Sequence, residues 1–258
     1  FLLKNNTFYK LSAPLQLQPV NILYQFKDLS LLLGSISNGL CIYKNLTLND
    51  KTKEVNYSAK NIQFIKTKKI FDDRSGNVVA MINQDVIRFF DPQKHSFGLA
   101  LNQITERINN AFYNLDNELV INAKKNYLYR NNKLETYPQL SRFNGTIISD
   151  HLIMDNSSEL FNIDGDSLYI LNKNRFYNLT RAFDSPVDKQ INKILFSDSS
   201  LYLATLNDVF VCHNPNQIIS GKPLHIEPLN ISFNNINDIL IHDDTLFIAS
   251  DDGLTVIA

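Results

Sequence analysis

The sequence contains no tryptophan and only 8 glycines, 2 cysteines and 5 histidines in its 258 residues. So few glycines argue against a glycine-rich loop of the kind that cradles nucleotide phosphates. Two cysteines are too few for a structural zinc site, and the histidines show no pair at the spacing of metal ligands. We therefore expect no cofactor, no metal site and no catalytic constellation in this chain.

Long apolar runs and an excess of one charge are missing as well. No apolar run approaches the ~20 residues that span a bilayer, so we expect no membrane contact by this segment itself. The 25 Lys and Arg residues nearly balance the 26 Asp and Glu residues, which leaves a formal net charge of −1. Because the cations are spread along the chain and no basic patch stands out, a nucleic-acid partner bound through its phosphates is not expected.

Short apolar stretches separated by turns rich in Asp, Asn and Ser make up most of the chain. The clearest example is INKILFSDSSLYLATLNDVFVCH at residues 191–213, which reads as three strands joined by two polar turns. Leucine, aromatic and β-branched residues favour the strands, and Ser, Asp and Asn favour the turns. The same pattern returns at residues 20–43, 68–90, 108–130 and 236–258.

The spacing of these copies predicts the architecture. Aligned on their second strands, the copies begin near Leu31, Val78, Glu118, Glu159, Leu201 and Leu246. Intervals of roughly 40–47 residues are typical of four-stranded propeller blades, which stack around an axis because a blade cannot bury both faces alone. No segment shows a sustained helical period. We therefore predict an all-β fold: a single β-propeller domain over residues 1–258 with about six to seven four-stranded blades.

The chain ends do not complete a whole number of blades. Residues 1–12 are predicted to form a hairpin that is half of a blade, whereas the last copy supplies three strands and lacks a fourth. In one account, residues 7–11 pair beside residues 254–257 and close the ring within this chain. In the other, the surplus strand at residues 1–4 suggests that the chain is a fragment of a longer one, and this account is the one we favour.

Two segments are less regular, and both cysteines lie in predicted strands. Residues 44–58 are polar and charged, which predicts an exposed loop with a ragged outer strand. Residues 144–180 read as five strands, one more than a four-stranded unit requires. Cys41 and Cys212 lie in third strands of different copies, too far apart for the ~7 Å between Cα atoms that a disulfide needs. Both are therefore predicted to be buried thiols.

Several paired carboxylates raise the question of metal binding or acid–base chemistry. They are Asp72-Asp73, Asp243-Asp244, Asp251-Asp252 and Asp164-Gly165-Asp166. All of them fall at predicted turns, where Asp is a common residue, so we interpret them as turn residues. Cys212 and His213 are neighbours on a predicted strand and point to opposite faces, which argues against a catalytic pair. The sequence assigns no catalytic, cofactor-binding, metal-binding or ligand-binding residue.

One nine-residue stretch carries a resemblance to a known repeat. Leu246-Phe247-Ile248-Ala249-Ser250-Asp251-Asp252-Gly253-Leu254 resembles the two-component regulator propeller repeat, in which a Leu-Trp-Ile-Gly-Thr core is followed by Asn/Asp-Gly-Leu. The second-best copy is Leu32-Leu33-Gly34-Ser35 with Asn38-Gly39-Leu40. The repeat is structural, since its glycine permits a tight turn and its aromatic residue packs between blades.

The resemblance implies a location and a function. Such repeats build the periplasmic, extracytoplasmic sensor region of membrane histidine kinases and hybrid two-component regulators in Bacteroidetes. A protein of this kind would detect a glycan or another nutrient, act within a receptor dimer and carry out no catalysis. Its propeller would be followed by a small β-sandwich that relays the signal to the membrane.

Two other classes of function stay open. A β-propeller scaffold for protein–protein assembly is the main alternative, because the repeat fixes a fold and not a ligand. A propeller enzyme, such as a lyase or a glycoside hydrolase, is the third reading. The absence of a catalytic constellation in the sequence favours the sensor and the scaffold over the enzyme.

Overall fold

The computed structural model describes residues 2–4, 7–9, 22–26, 30–35, 39–52, 54–63, 67–73, 75–82, 86–91, 96–101, 104–187 and 190–257. These residues form two compact units, Phe1–Ile108 and Asn109–Ala258, which we call unit one and unit two. The prediction of a single domain over residues 1–258 stays a prediction. No helix among the described residues is long and apolar enough to cross a membrane.

Unit one contains a hairpin and two four-stranded antiparallel sheets. In the hairpin, β1 (Leu2–Lys4) pairs with β2 (Thr7–Tyr9), as predicted, although residues 1, 5, 6 and 10–12 lie outside the described part. The pairing of residues 7–11 with residues 254–257 stays a prediction. In each sheet every strand pairs with the next along the chain: β3 (Ile22–Gln25), β4 (Leu31–Ser35), β5 (Gly39–Asn49) and β6 (Glu54–Gln63), then β7 (Thr67–Asp72), β8 (Val78–Ile82), β9 (Val86–Asp91) and β10 (Ser96–Leu101).

The structure corrects the prediction of an exposed loop over residues 44–58. Most of this segment forms a long hairpin, because β5 continues to Asn49 and β6 begins at Glu54. Its strands pair Thr47 with Asn56 and Leu48 with Val55. Leu46 packs against a buried cluster in the same unit, so a segment that is polar on average still has an apolar anchor. The prediction was wrong because it relied on the average composition of residues 44–58, in which the single apolar contact of Leu46 is not apparent.

Unit two contains three four-stranded sheets and one three-stranded sheet among its described residues. The strands again pair in chain order: β11 (Asn110–Tyr113), β12 (Leu119–Asn122), β13 (Asn126–Arg130) and β14 (Lys133–Thr136); β15 (Ile148–Ile153), β16 (Ser158–Ile163), β17 (Ser167–Asn172) and β18 (Arg175–Asn178); β19 (Lys193–Ser197), β20 (Ser200–Ala204), β21 (Val209–His213) and β22 (Glu227–Pro228); β23 (Ile236–His242), β24 (Thr245–Ser250) and β25 (Gly253–Ile257). Two short 3₁₀ helices, Pro138–Phe143 and Pro215–Ser220, follow β14 and β21. These two helices were not predicted from the sequence.

The second strand of each sheet lies where the repeat predicted it, at β4, β8, β12, β16, β20 and β24. β12 and β16 are buried on both faces, which explains their continuous apolar sequences, whereas β24 buries only the face of Leu246 and Ile248. The side chains of Val120, Ile121, Leu203 and Ile248, which lie in three of these strands, are each 0% exposed. The tight turns are formed by pairs of residues with positive φ, such as Asn131 and Asn132, the conformation that Asn tolerates and that two-residue hairpins require.

The irregular region at residues 144–180 holds four strands and not five. The two short strands read at its start are one strand, β15, which continues through Asp150 and His151. A register shift between Ile148 and Asp150 keeps the strand in the sheet. Such a bulge adds a residue without ending the ladder, so the polar pair in mid-strand looked like a turn in the sequence.

Buried asparagines join neighbouring sheets of unit two. Asn122 is 0% exposed and its Oδ1 accepts the N–H of Ile148, while its Nδ2 donates to the carbonyl of Thr146. In the next sheet, Nδ2 of the buried Asn162 donates to the carbonyl of Ile191 at 2.9 Å. These amides satisfy backbone groups at the start of the next sheet that would otherwise be buried without partners.

The two cysteines are buried thiols, as predicted. The Sγ of Cys41 lies 3.9 Å from the carbonyl oxygen of Ile42. The Sγ of Cys212 lies 3.9 Å from that of His213, and burial raises the pKa of the Cys212 thiol to about 11. A thiol with a raised pKa is a poor nucleophile at neutral pH, which agrees with a structural role.

Candidate functional site

The first strands of the four sheets in unit two carry unlike polar side chains at equivalent positions. Asn110, Asp150, Lys193 and Asp238 pair with the same position of the second strand, occupied by Asn122, Asn162, Ala204 and Ala249. We call these four first-strand residues the strand-start row. The sequence hides their equivalence, because register shifts precede Asp150 and Asp238 and displace them along their strands.

The strand-start row is buried at one end and open to solvent at the other. Asn110 is 5% exposed and its Nδ2 donates to a carbonyl oxygen of β15 at 2.9 Å. Asp150 accepts an N–H of β19 at its Oδ2, 3.4 Å away. Lys193 Nζ lies 3.3 Å from Asp238 Oδ1, with side chains 44% and 65% exposed. Lys193 and Asp238 are therefore the members of the row that a ligand can reach.

A second group of polar side chains comes from the segment that leads into β23, where Asn237 precedes Asp238 in the chain, and from the turn after β24. It consists of Asn234, Asn235, Asn237, Asp251 and Asp252, which we call the Asn/Asp cluster. Asn237 Nδ2 and Asn235 Nδ2 donate to the two carboxylate oxygens of Asp251 at 3.0 and 3.1 Å. Asn234 donates through its backbone N–H and its Nδ2 to Asp252, both at 2.8 Å. The cluster holds the turn between β24 and β25 against the segment that leads into β23.

The hydrogen bonds of the cluster set the charge of this surface. Those from Asn237 and Asn235 lower the pKa of Asp251, because they stabilise its ionised form. Asp251 is therefore an ionised acceptor at neutral pH. Together with Lys193 and Asp238, the cluster offers both donors and acceptors to solvent, an arrangement suited to a ligand with many hydroxyl groups.

Two exposed apolar side chains lie in the connections at this end of unit two. Leu206 is 49% exposed, and its carbonyl accepts the N–H of Ile236 at the start of β23. Ile231 is 40% exposed and belongs to the connection before β23. Both side chains therefore add exposed apolar surface to the connections that precede β21 and β23.

The paired carboxylates named in the sequence are turn residues, except that Asp72 is the last residue of β7 and pairs with Val78. Asp73 Oδ1 accepts the N–H groups of Ser75 and Asn77 at 2.9 and 2.7 Å, which closes the turn after β7. Asp243 and Asp244 have φ values of 46° and 59° and form the turn between β23 and β24. The interpretation as turn residues is confirmed for Asp73, Asp243 and Asp244. Asp251 and Asp252 also form a turn, but the Asn/Asp cluster around them was not foreseen.

The turn at Asp164-Gly165-Asp166 is held within its own sheet and lies against the segment that leads to the next sheet. Asp164 Oδ1 accepts the N–H of Ile147 at 2.8 Å. Gly165 has φ +80°, and a Cβ placed on it would lie 2.7 Å from the side chain of Gln190. Glycine is therefore required here for both backbone conformation and space. The tripeptide is therefore a structural turn, as predicted.

The two neighbours Cys212 and His213 point to opposite faces, as predicted. The side chain of His213 contacts two other residues and not Cys212. Its Nδ1 lies 2.8 Å from Ser200 Oγ, and its Nε2 lies 3.6 Å from Glu227 Oε1. The three residues follow the order serine, histidine and acid, but Ser200 is only 7% exposed and pairs with His213 across β20 and β21. Their evident effect is to tie the short strand β22 to β21.

A second histidine pair holds the segment before β22. His225 Nδ1 lies 2.5 Å from Asp184 Oδ2, and Asp184 Oδ1 accepts the N–H of Ile226 at 3.2 Å. The hydrogen bond between them raises the pKa of His225 and lowers that of Asp184. Both side chains are exposed, so the pair is a surface clasp.

A third histidine is buried between the first two sheets of unit two. His151 Nε2 lies 2.8 Å from Glu159 Oε2, with side chains 3% and 7% exposed. The ring of His151 stacks on Phe112 with 4.1 Å between ring centroids and leans on Phe161. No local sequence pattern indicates this pair, because the two residues lie diagonally across β15 and β16. In the part of the chain that the structure describes, no group of three or more His, Cys, Asp or Glu side chains is arranged to hold a metal ion.

No protein-family model matches the sequence, and no curated protein matches it. Several solved structures do resemble it. The extracellular domain of BT4673 from B. thetaiotaomicron, described as a hybrid two-component system, is 12% identical with a TM-score of 0.63, covering 92% of this chain and 33% of that domain. Streptogramin B lyase is 12% identical with a TM-score of 0.64, covering 92% of this chain and 78% of the lyase. The C-terminal WD40 domain of Sif2 is 10% identical with a TM-score of 0.62, covering 93% of this chain and 81% of that domain.

These similarities establish the fold of the chain but not its function. At 10–12% identity the shared property is the architecture, and the three proteins differ in what they do. The chain spans about a third of the BT4673 extracellular domain. The resemblance to the two-component regulator repeat is matched by a structural neighbour from a two-component system. The chain is an all-β protein with the β-propeller fold.

Proposed function

We propose that this chain is a non-catalytic, ligand-sensing propeller from the extracytoplasmic part of a bacterial two-component receptor. The observation that carries the proposal is the solvent-exposed pair of Lys193 and Asp238 next to the Asn/Asp cluster. The sequence repeat at residues 246–254 and the fold of the BT4673 extracellular domain support the receptor context. A periplasmic location and action within a receptor dimer follow from that context and belong to the proposal.

The chemistry of the site favours a glycan fragment as the ligand. Sugar hydroxyl groups donate and accept hydrogen bonds, and Lys193, Asp238 and Asp251 supply one cationic donor and two acceptors. Leu206 and Ile231 provide apolar surface for the C–H faces of a sugar ring. Hydrogen bonds to charged groups are stronger than those between neutral groups, so a neutral sugar gains from this site without adding charge.

Scaffolding for protein assembly is the second candidate, and one observation favours it. Leu240, Leu254 and Val256 are 58%, 50% and 54% exposed, and all three lie on one face of the sheet β23–β25. Exposed apolar patches of this kind mark protein interaction sites. A scaffold would bind through these apolar side chains and would have no need of the ion pair between Lys193 and Asp238, although Asp238 lies on the same face.

Thermal unfolding in the presence of neutral oligosaccharides separates the two candidates. A fragment that binds only the folded protein at 100 times its Kd stabilises it by about 2.7 kcal/mol and raises the midpoint. The sensor proposal expects one fragment to raise the midpoint, and expects Lys193→Ala and Asp238→Asn to abolish that rise. Lys222→Ala and Asp244→Asn are matched controls, since both residues are exposed and lie outside the site. If no fragment raises the midpoint, or if the controls act as strongly as the site variants, the glycan site is wrong.

A further inference from the structure

The outer strand of the second sheet of unit two, β18, has an unusual distribution of charge. Residues 167–182, which include β17 and β18, contain Lys173, Arg175 and Arg181 but no Asp or Glu. Residues 137–149, which include the first 3₁₀ helix, contain Arg142 and no acidic residue. In a chain with a formal net charge of −1, these segments concentrate positive charge along one strand. The sequence reading missed this patch because its members come from separate segments.

Three aromatic rings contact the guanidinium group of Arg142. Its guanidinium carbon lies 5.3 Å from the ring centroid of Phe143, 5.4 Å from that of Tyr169 and 5.3 Å from that of Phe176. The residue is exposed, and among the described residues no carboxylate forms an ion pair with it. These distances are within the range of cation–π contacts, which hold an exposed arginine in place while its N–H groups can still bind a carboxylate.

Arg175 repeats this arrangement on the opposite face of the same strand. Its guanidinium carbon lies 5.9 Å from the ring centroid of Tyr177. The register pairs Phe176 with Leu171 and Arg175 with Asn172, so Arg175 points away from the face on which Phe176 and Arg142 meet. Arg175 is exposed and likewise forms no ion pair with any described carboxylate. One arginine in contact with aromatic rings therefore lies on each face of β18.

The backbone of β18 is also open, because the sheet order β15-β16-β17-β18 places it at an edge. The corresponding outer strands of the neighbouring sheets are protected in ways that β18 is not. In β14, Glu135 forms an ion pair with Arg130, and β22 contains Pro228, which lacks an N–H donor. Prolines and charged side chains discourage strand addition, and the charge that β18 carries is the positive charge of Arg175, which disfavours a basic strand and favours an acidic one.

We propose that the edge of β18 binds an extended acidic segment of a partner protein, which adds as a fifth strand to the sheet β15–β18. The backbone of the segment pairs with the open edge of β18. Because side chains alternate across a strand, adjacent acidic residues of the segment point to opposite faces and reach Arg142 and Arg175. The inference is independent of the glycan site, since β18 and the strand-start row share no residue.

Fluorescence anisotropy with labelled synthetic peptides tests the proposal. The probe is an extended peptide of sequence Thr-Val-Glu-Glu-Val-Thr with blocked ends, and its control carries Gln-Gln in place of Glu-Glu. We expect the acidic probe to bind, and the Gln probe to bind at least about tenfold more weakly after loss of two charge pairs. Arg142→Ala and Arg175→Ala should each weaken binding of the acidic probe by about fivefold, a loss of about 1 kcal/mol.

Two controls make the result decisive. Arg130→Ala removes an arginine that is already paired with Glu118 and Glu135, and it should leave binding unchanged. A probe with N-methylated backbone amides on its pairing edge should lose binding while it keeps its charge. The proposal is overturned if the acidic probe does not bind at millimolar concentration, or if Arg130→Ala weakens binding as much as Arg142→Ala. It is also overturned if N-methylation has no effect, because that would leave only non-specific attraction between charges.

Discussion

Replacement of Ile248 by alanine tests the register on which the description of unit two depends. Ile248 is 0% exposed at the centre of β24, where it pairs with Ile239 on one side and Thr255 on the other. It belongs to a buried cluster with residues of the preceding sheet, including Ala204 and Val209. The side chain therefore has neighbours on all sides, and its removal leaves space that cannot fill with solvent.

The size of the effect follows from this burial. Ile248→Ala removes three carbon atoms, which costs about 2.4 kcal/mol at ~0.8 kcal/mol for each buried methylene equivalent. If the strands relax enough to leave a cavity of about 50 Å³, the cavity adds about 1.2 kcal/mol at ~24 cal/mol per Å³. We therefore expect the free energy of unfolding to fall by about 3.5 kcal/mol, within the range known for buried aliphatic residues.

Equilibrium denaturation in urea measures this difference, with the slope of the transition checked for constancy. Val256→Ala is the matched control, because Val256 lies on the adjacent strand β25 but is 54% exposed. It should change the free energy of unfolding by less than about 0.5 kcal/mol. A loss below about 1 kcal/mol for Ile248→Ala would refute the register of β23–β25, since a fully buried isoleucine cannot be truncated so cheaply.

Three further outcomes are expected. Without reductant, a thiol reagent should label both Cys41 and Cys212 in the denatured protein, and Cys212 only slowly in the folded protein, because burial raises its pKa to about 11. The clasp between Asp184 and His225 should stabilise the fold most when both are ionised: its contribution is lost as pH rises through the raised pKa of His225 and as pH falls through the lowered pKa of Asp184. An NMR titration of His225 should accordingly show a lower pKa in Asp184→Asn than in the parent protein. Asn122→Ala should lower the free energy of unfolding by about 1–3 kcal/mol in urea, because a buried N–H and a carbonyl of the next sheet lose their partner.

The second strands could be predicted from the sequence because their signal is local. Each is a short apolar run between polar turns, and the recurrence of the run fixes its place in every copy. Burial demands the same kind of side chain at Ile121, Phe161, Leu203 and Ile248, which occupy equivalent positions. The packed centre of each sheet is therefore visible in the sequence even though no two copies are identical.

The errors arose where pairing or distant contact overrides local composition. Residues 44–58 look like a loop on average, but Leu46 anchors them to a buried cluster and the strands extend. In β15, a bulge carries the strand past Asp150, which in isolation resembles a turn residue. Arg142 meets Tyr169 and Phe176 only after the chain has built a complete sheet, so no window of sequence contains that contact.

The candidate site was missed for a related physical reason. The strand-start row occupies one position of the repeat, yet its members are an amide, a carboxylate, an ammonium group and another carboxylate. At the packed centre of a sheet, exclusion of water restricts the side chain to apolar types, whereas Lys193 and Asp238 reach solvent and are free of that restriction. A repeat that is regular in its core and varied in its first strands can keep one architecture while the chemistry of its surface changes. We therefore expect the ligand-binding residues of the proposed sensor among the positions that the repeat places but does not specify.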